Sequence, residues 1–406
     1  AGRNTGMQAA SLRTGGWDAR QNKMRLRQTE YESLKSRNRK RSMIKRSYSL
    51  QLATPAFLGG ADQRAEWRTP PFKALIREWW RIAVAPDVGF SFSRLKERET
   101  ELFGTAADEG GGENHKSSIR LALKHWHNGT LTDWAKINPP ERGKPGSDPQ
   151  VKHREVQFGN GMVGSQLYLG YGPLILDRGN PAPKLKNNGA ALQADEHNIL
   201  SLAFPDIHVD GMSMALTLAN WFGTIGGRSR NGWGSISWAS LGGTSELPPL
   251  TNATLAQTGC VRPLAHCLEL DWPHAIGRDD KGALVWRGTN TFANWRDAMK
   301  FLAQVKIGFR TELGFTTGDN STRVEPRHIV AYPVTKHHVG SWGRNVRIAN
   351  TLRFKITTEA DGGLRALIYH TPCRPTLRHD GVTPLTDTWQ PVHRMLDRNP
   401  QLTRLS

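Results

Sequence analysis

Residues 223–234, Gly-Thr-Ile-Gly-Gly-Arg-Ser-Arg-Asn-Gly-Trp-Gly, place five glycines in twelve positions. Backbone this permissive propagates no regular element, and it lets the chain approach a ligand closely with its N–H groups turned toward phosphate. The segment follows a predicted helix near 211–222 and leads into a predicted strand at 234–239. No Gly-Lys-Ser/Thr follows, which excludes a Walker loop. The glycines come after a helix and not between a strand and a helix, which excludes a dinucleotide fingerprint. Arg228 and Arg230 make a phosphate-binding loop a better reading than a plain surface turn. The chain of 406 residues carries 41 Gly and 23 Pro, so turns are frequent throughout. An α+β fold suits that composition better than a helical bundle, and the length fits one large domain or two ordinary ones.

The remaining pattern is one of short strands with few helices. Leu50 and Leu52 alternate with Ser49 and Gln51, as in a half-buried strand. A helix is predicted over 70–84, with Thr69 as N-cap, Pro70 and Pro71 in the first turn and Pro86 as its stop. Strands are expected near 151–158, 165–176, 198–204 and 261–270, and a further helix near 290–305. Residues 105–118, 138–150 and 177–190 read as loops, and 240–258 as a linker. Leu352, Phe354 and Ile356 alternate with Arg353 and Lys355, Asp361-Gly362-Gly363 turns the chain, and 364–369 returns as a hairpin. Two ferredoxin-like (RRM-like) units in tandem, 47–245 and 255–406, are the economical reading.

The formal net charge of +19 directs the chain toward polyanions. Residues 1–46 hold thirteen Lys/Arg against three Asp/Glu, a net of +10, and read as a flexible basic arm. No run approaches the roughly 18–20 apolar residues of a membrane span, and no secretory signal is expected, so a cytoplasmic protein with a nucleic-acid partner and no membrane association is predicted. Three cysteines (Cys260, Cys267, Cys373) build no disulfide framework.

Phe72, Leu75, Ile76, Trp79 and Ala83 carry the spacing of a buried helical face. Lys73, Arg77, Trp80 and Arg81 fall on a neighbouring stripe, where cations meet phosphates and an exposed indole stacks on an unpaired base. The competing reading is a solvated basic face with Trp80 tucked against a second element. Helical spacing favours Trp80 over Trp79 as the exposed ring. Asp206, His208 and Asp210 would share one face if on a strand and could hold a metal, but Asp210 is better read as an N-cap. Cys260, His266 and Cys267 lack zinc-site spacing, so no metal or cofactor is expected. Among the histidines, His337-His338 beside Lys336 is the best candidate for acid–base chemistry, and no clear catalytic pair emerges.

Taken in order, these segments resemble the RAMP proteins of CRISPR systems. The glycine loop is similar to the RAMP hallmark loop. The stretch Leu52–Gly60 (Leu-Ala-Thr-Pro-Ala-Phe-Leu-Gly-Gly) followed by 68–81 (Arg-Thr-Pro-Pro-Phe-Lys-Ala-Leu-Ile-Arg-Glu-Trp-Trp-Arg) is similar to the opening of the first-subunit family of the Cmr (type III-B) effector complex. Glu101-Leu102-Phe103-Gly104, Tyr168-Leu169-Gly170-Tyr171-Gly172 and Arg347-Ile348-Ala349-Asn350-Thr351-Leu352 resemble the same family, and the likeness spans about 48–370. The basic arm, Asn231 in place of a further arginine, and Thr351 near a common proline depart from it. The resemblance implies a tandem ferredoxin-like fold and a non-catalytic subunit near the crRNA 3′ end that helps capture target RNA. It implies as partners crRNA, target RNA, the other RAMP subunits, the small subunit and the large polymerase-like subunit. The expected RNA-binding residues are Lys73, Arg77, Trp80, Arg81, Gly226, Gly227, Arg228, Arg230, Arg344 and Arg347. The alternative is a RAMP endoribonuclease acting on crRNA precursor or target.

Overall fold

The computed structural model describes residues 42–59, 64–105, 115–138, 147–176, 182–243, 246–379, 382 and 384–405. The expected basic arm lies outside the described residues up to position 41. Its boundary at 46 is corrected, because strand β1 already begins at Met43 and runs to Leu52. Tyr48, Leu50 and Leu52 point into the core, and Ser47, Ser49 and Gln51 point away. That period of two is the signature of a strand covered on one side.

Two four-stranded antiparallel sheets carry the fold. The first contains β1, β2 (Arg120–Leu123), β3 (His197–Pro205) and β4 (Ile236–Leu241) in the order β2-β3-β1-β4. The second contains β5 (Val285–Gly288), β6 (Leu352–Thr358), β7 (Leu364–His370) and β8 (Leu402–Arg404) in the order β6-β7-β5-β8. The first sheet is entered as strand, helix, strand, strand, helix, strand. Its helices are α1 (Thr69–Val84) with α2 (Phe92–Phe103) after β1, and α3 (Val209–Phe222) after β3. The second repeats that sequence with α4 (Trp295–Glu312) and α5 (Leu385–Arg398). In both, the fourth strand lies beside the first and the first beside the third.

The two sheets stack with helices between them. Helices α1 and α3 cover one face of the first sheet, and their far side meets the second sheet. Trp79 and Phe222 lie 5.5 Å apart, and Tyr369 of β7 closes on Phe222 at 4.8 Å. The opposite face of the second sheet packs on α4 and α5 through Phe354, Ile356, Ile368, Phe309, Trp389 and Val392. Polar groups seal the seam. Lys355 Nζ donates to the carbonyls of Asn220 (2.5 Å) and Ile236 (2.9 Å), and Tyr369 donates to Phe222 O at 2.8 Å. The Asn220 and Phe222 carbonyls are among those left open at the C-terminus of α3, and Ile236 O opens β4. Burial lowers the Lys355 ammonium to about 7. Arg353, 6% exposed at its side chain, pairs with Glu78 of α1 at 2.5 Å.

Several expectations shift locally. Thr69 is the first helical residue and Arg68 the cap position. Asp210 sits in the first turn of α3, with His208 at the cap, and Asp206–His208 is a 3-10 turn and not a strand. Residues 165–170, read as strand, form a short helix, with Leu174–Ile175 as a two-residue strand beyond. Its N-terminal N–H groups are held by a distant carboxylate: Gln166 and Leu167 donate to Asp148 at 2.8 and 2.9 Å. The strand expected at 261–270 stops at Pro263 and gives way to a helix at Leu264–Cys267. The linker at 240–258 contains the helix Asn252–Gln257, closed by a Thr251–Thr254 capping box. No helix among the described residues is long and apolar enough to cross a membrane.

Candidate nucleic-acid interface

Most of the sequence-predicted residues fall in two places, and Arg344 stands outside both. Lys73, Arg77, Trp80 and Arg81 lie on α1 against α2. There Trp80 is buried at 2% exposure, which corrects the expectation of an exposed stacking ring. The cause is α2, which crosses that side of α1 and sets Phe103 edge-on to the indole at 5.5 Å. Gly211 at the start of α3 closes the other side; a Cβ there would sit 3.4 Å from Trp80 Nε1. The buried arc of α1 is therefore wider than one stripe.

The cations on that stripe are engaged as well. Lys73 Nζ donates to Phe103 O at 2.9 Å. Arg77 and Arg81 both donate to the buried carboxylate of Glu99. Burial pushes that carboxyl up, but Arg81 and Arg77 outweigh it and hold Glu99 below its ordinary range. This cluster joins α1 to α2, with both guanidinium groups still part exposed. Trp80→Ala is expected to cost about 3–5 kcal/mol of stability, as large aromatic truncations in cores do. Urea unfolding checks the cost. RNA affinity measured on the folded variant is expected to stay within a few-fold of wild type.

The second place is a groove between the glycine loop, α4 and the segment 331–350. The loop is pinned before it reaches the groove. Gly226 (φ +89°) brings the backbone against Phe57, and Gly227 N donates to Phe57 O at 2.8 Å. A Cβ on Gly234 (φ +63°) would meet Ile225 O at 1.9 Å, so only glycine fits there. Trp233 is fully buried among Phe57, Trp134 and Trp295. That aromatic cluster locks the loop to both halves of the molecule. Gly226 and Gly227 thus shape the loop and face Phe57.

The loop's arginines reach the groove. Arg228, Arg230, Lys306, Arg310 and Arg347 line it, with Tyr168, Tyr171 and Tyr332, and no carboxylate is among the described lining residues. Arg228 lies over Gly172, where a Cβ would be 3.0 Å from its Nη2. Three motifs far apart in the chain, 168–172, 223–234 and 347–350, meet here. Lys306 projects from α4 at 8% exposure. Its Nζ donates to Asn231 Oδ1 at 2.8 Å and lies 5.6 Å from the Tyr168 ring centre. Asn231 in turn donates to Leu169 O at 2.7 Å. Burial, then Arg310 and Arg228, hold the Lys306 ammonium well below its ordinary range. Burial and Arg347 likewise lower Arg228. A cavity whose described lining crowds cations and holds no carboxylate is organised for an anion.

Lys306 and Arg310 escaped the sequence reading. They stand four residues apart, on one face of α4, and that spacing next to a glycine loop was their only signal. Arg347 lines the groove and donates to the carbonyls of Arg344 and Val346. Arg344 stands apart from the lining, 72% exposed and 3.1 Å from Asp319. His338 Nδ1 meets the same Asp319 at 2.5 Å. Hydrogen bonds from His338 hold the Asp319 carboxyl down at about 2. His337 stacks on Phe315 at 4.0 Å, and its Nδ1 lies 2.8 Å from Thr317 O. Among the described residues no group of three or more His, Cys, Asp or Glu is placed to hold a metal ion.

No protein-family model and no curated protein matches the chain. Solved structures do resemble it. Apo Cmr1 from Pyrococcus furiosus is 12% identical, covers 82% of this chain and 91% of its own, and gives a TM-score of 0.41. A subunit of the type III-B Cmr-beta complex bound to cognate target RNA is 12% identical over 81% of this chain and 94% of its own, with a TM-score of 0.43. A chain of the Cmr-beta complex solved with target RNA, AMPPnP and ssDNA is 10% identical over 87% and 98%, with a TM-score of 0.42. Over most of its length the chain is thus similar to subunits of type III-B Cmr effector complexes.

Proposed function

We propose that the chain is a non-catalytic RNA-binding subunit of a type III-B CRISPR effector complex, seated near the crRNA 3′ end and helping to capture target RNA. The observation that carries this reading is the groove in which five cations converge without a carboxylate. The ordered motif resemblance along 48–370 supports the assignment to the complex, because three of those motifs supply the groove's walls. The repeated strand order of the two sheets supports two tandem ferredoxin-like units, 47–245 and 255–406. On this reading Arg228, Arg230 and Arg347 contact RNA directly, Gly226 and Gly227 shape the loop, and Lys73, Arg77 and Arg81 offer a weaker contact, since Glu99 already engages two of them. The cell compartment is the cytoplasm. The partners are crRNA, target RNA, the other RAMP subunits, the small subunit and the large polymerase-like subunit.

A second reading, a RAMP endoribonuclease, is favoured by one feature: the His338–Asp319 pair beside Arg344. A general base and a cation together are what metal-independent RNA cleavage requires. One experiment separates the two. Purified protein is titrated into end-labelled single-stranded RNA of crRNA length at several salt concentrations, and the same samples are run on a denaturing gel with and without magnesium. Salt-sensitive binding with intact RNA is the expected result. Cleavage abolished by His338→Gln would establish the nuclease, and neither binding nor cleavage would overturn both.

A further inference from the structure

Among the described residues the first sheet is covered on one side only. Its outward positions on β1, β3 and β4 are exposed or half-exposed apart from Pro205, whereas Leu352–Ile356 of β6 and Ala366–His370 of β7 are buried on both faces. The outward face mixes serine and alanine, including the Ser47–Ser201 hydroxyl pair at 3.1 Å, with the larger Met43, Gln51, His197, Ile199 and Leu241. None of the four strands contains an acidic residue. Register places Arg120 opposite Ala203 and Ala203 opposite Lys45, so two cations share one row across the sheet. Lys124, held by its N–H to Ile199 O at 2.9 Å, follows on the edge.

Just beyond it stands Trp126, 58% exposed. A tryptophan left in solvent forgoes a large burial gain, and here no ring of the described residues stacks on it. Its backbone is nevertheless fixed. His125 exchanges hydrogen bonds with the Asn198 side chain at 3.2 and 2.7 Å. Trp67 N donates to His127 O at 3.0 Å, and Gly129 N donates to Ala65 O at 2.7 Å. The indole is thus presented outward by a clamped turn at the end of a cationic, acid-free sheet face.

We propose that this face is a second contact for single-stranded RNA, separate from the groove, with Trp126 stacking on an unpaired base and Lys45, Arg120 and Lys124 meeting phosphates. An indole beside spaced cations is the arrangement by which single strands are held without sequence preference. A protein partner fits less well, because protein interfaces bury an apolar centre and are depleted in lysine, and here Met43, Ile199 and Leu241 stand in separate rows, the latter two beside serines, with Lys45 and Arg120 on the same face. The inference stands on residues that the groove does not use.

The test uses the full chain and an oligouridylate about twenty nucleotides long carrying one 2-aminopurine, in the wild-type background and with the groove cations Arg228, Lys306 and Arg310 removed. Trp126→Ala is expected to weaken binding about tenfold in both backgrounds, and to abolish the 2-aminopurine quenching that binding produces. Trp126→Phe should retain most of the affinity. Arg120→Gln with Lys124→Gln should lower the salt slope by about one. Unchanged affinity, slope and quenching in both backgrounds would overturn the proposal. Intact RNA binding with lost association to protein subunits would also overturn it, and would reassign the face to a protein.

Discussion

Replacing Arg228 and Arg310 with alanine and Lys306 with methionine is expected to weaken single-stranded RNA binding about a hundredfold near 0.1 M salt, and to lower the log–log salt slope by about two, from roughly 0.7 per lost phosphate contact. The expectation follows from the crowding of these cations. In the free protein Lys306 is buried beside Arg310 and Arg228 with Asn231 as its acceptor among the described residues, so its proton is held less tightly than in water. A phosphate in the groove favours the charged ammonium, so binding is expected to raise the lowered Lys306 pKa. Affinity should fall as pH rises above neutrality in the wild type and fall less in Lys306→Met. The stability of the RNA-free protein should move the other way. A lysine whose folded pKa lies below its unfolded one is a cost at all pH values below the unfolded pKa, relieved as pH rises. Lys306→Met is thus expected to raise the RNA-free unfolding midpoint near neutral pH while weakening binding. An unchanged salt slope in the triple variant would remove the groove from the binding site.

Where residues interact with near neighbours, the sequence was readable. The spacing of Phe72, Leu75, Ile76 and Trp79 with Pro70 and Pro71 in the first turn marks α1 to within a residue. The alternation of Leu352, Phe354 and Ile356 before Asp361-Gly362-Gly363 marks the β6–β7 hairpin. What escaped depends on distant partners. Val285–Gly288 is only four residues long, and its pairing with β7 lies some eighty positions away. Helix α5 contains Pro391, which reads as a breaker, yet the helix continues through it on the packing of Trp389, Val392 and Leu396. The helix at Ser165–Gly170 depends on Asp148, and no local pattern announces a cap that comes from another loop.

The same division holds for the candidate site. Arg228 and Arg230 could be read from the glycine loop, since the loop's own composition carries the signal. Trp80 was misjudged because a helical wheel shows which residues share a face and not how many neighbours that helix has. Only the packing of α2 decides that Trp80 is core and that Glu99 draws in Arg77 and Arg81. Asn231, a departure from the family pattern, proves to link Lys306 to Leu169 O. A further arginine there would have faced Lys306 directly. The substitution and the buried lysine are one arrangement, visible only once α4 is set against the loop.

Glu78→Ala is expected to destabilise the protein by about 3 kcal/mol, the lower end of the cost of stranding a buried charge, since the Glu78 side chain is itself 41% exposed. Arg353 is enclosed between α1 and the second sheet, and its Nε already lacks a partner. Without Glu78 its guanidinium keeps only the Tyr369 hydroxyl nearby. Arg230, lowered by burial and by Arg353, also feels the Glu78 charge, so a groove cation loses part of its stabilisation as well. The glycine loop is attached there too, through Phe354 N to Arg230 O at 3.1 Å, and the damage should reach the groove. Arg353→Met is expected to cost much less, because Glu78 can turn to water. The double variant should recover most of the loss, as replacing both members of a buried pair generally does. Urea unfolding of the three variants measures this coupling. A double variant no more stable than Glu78→Ala would show that the cost is one of packing at the seam and not of an unpaired charge.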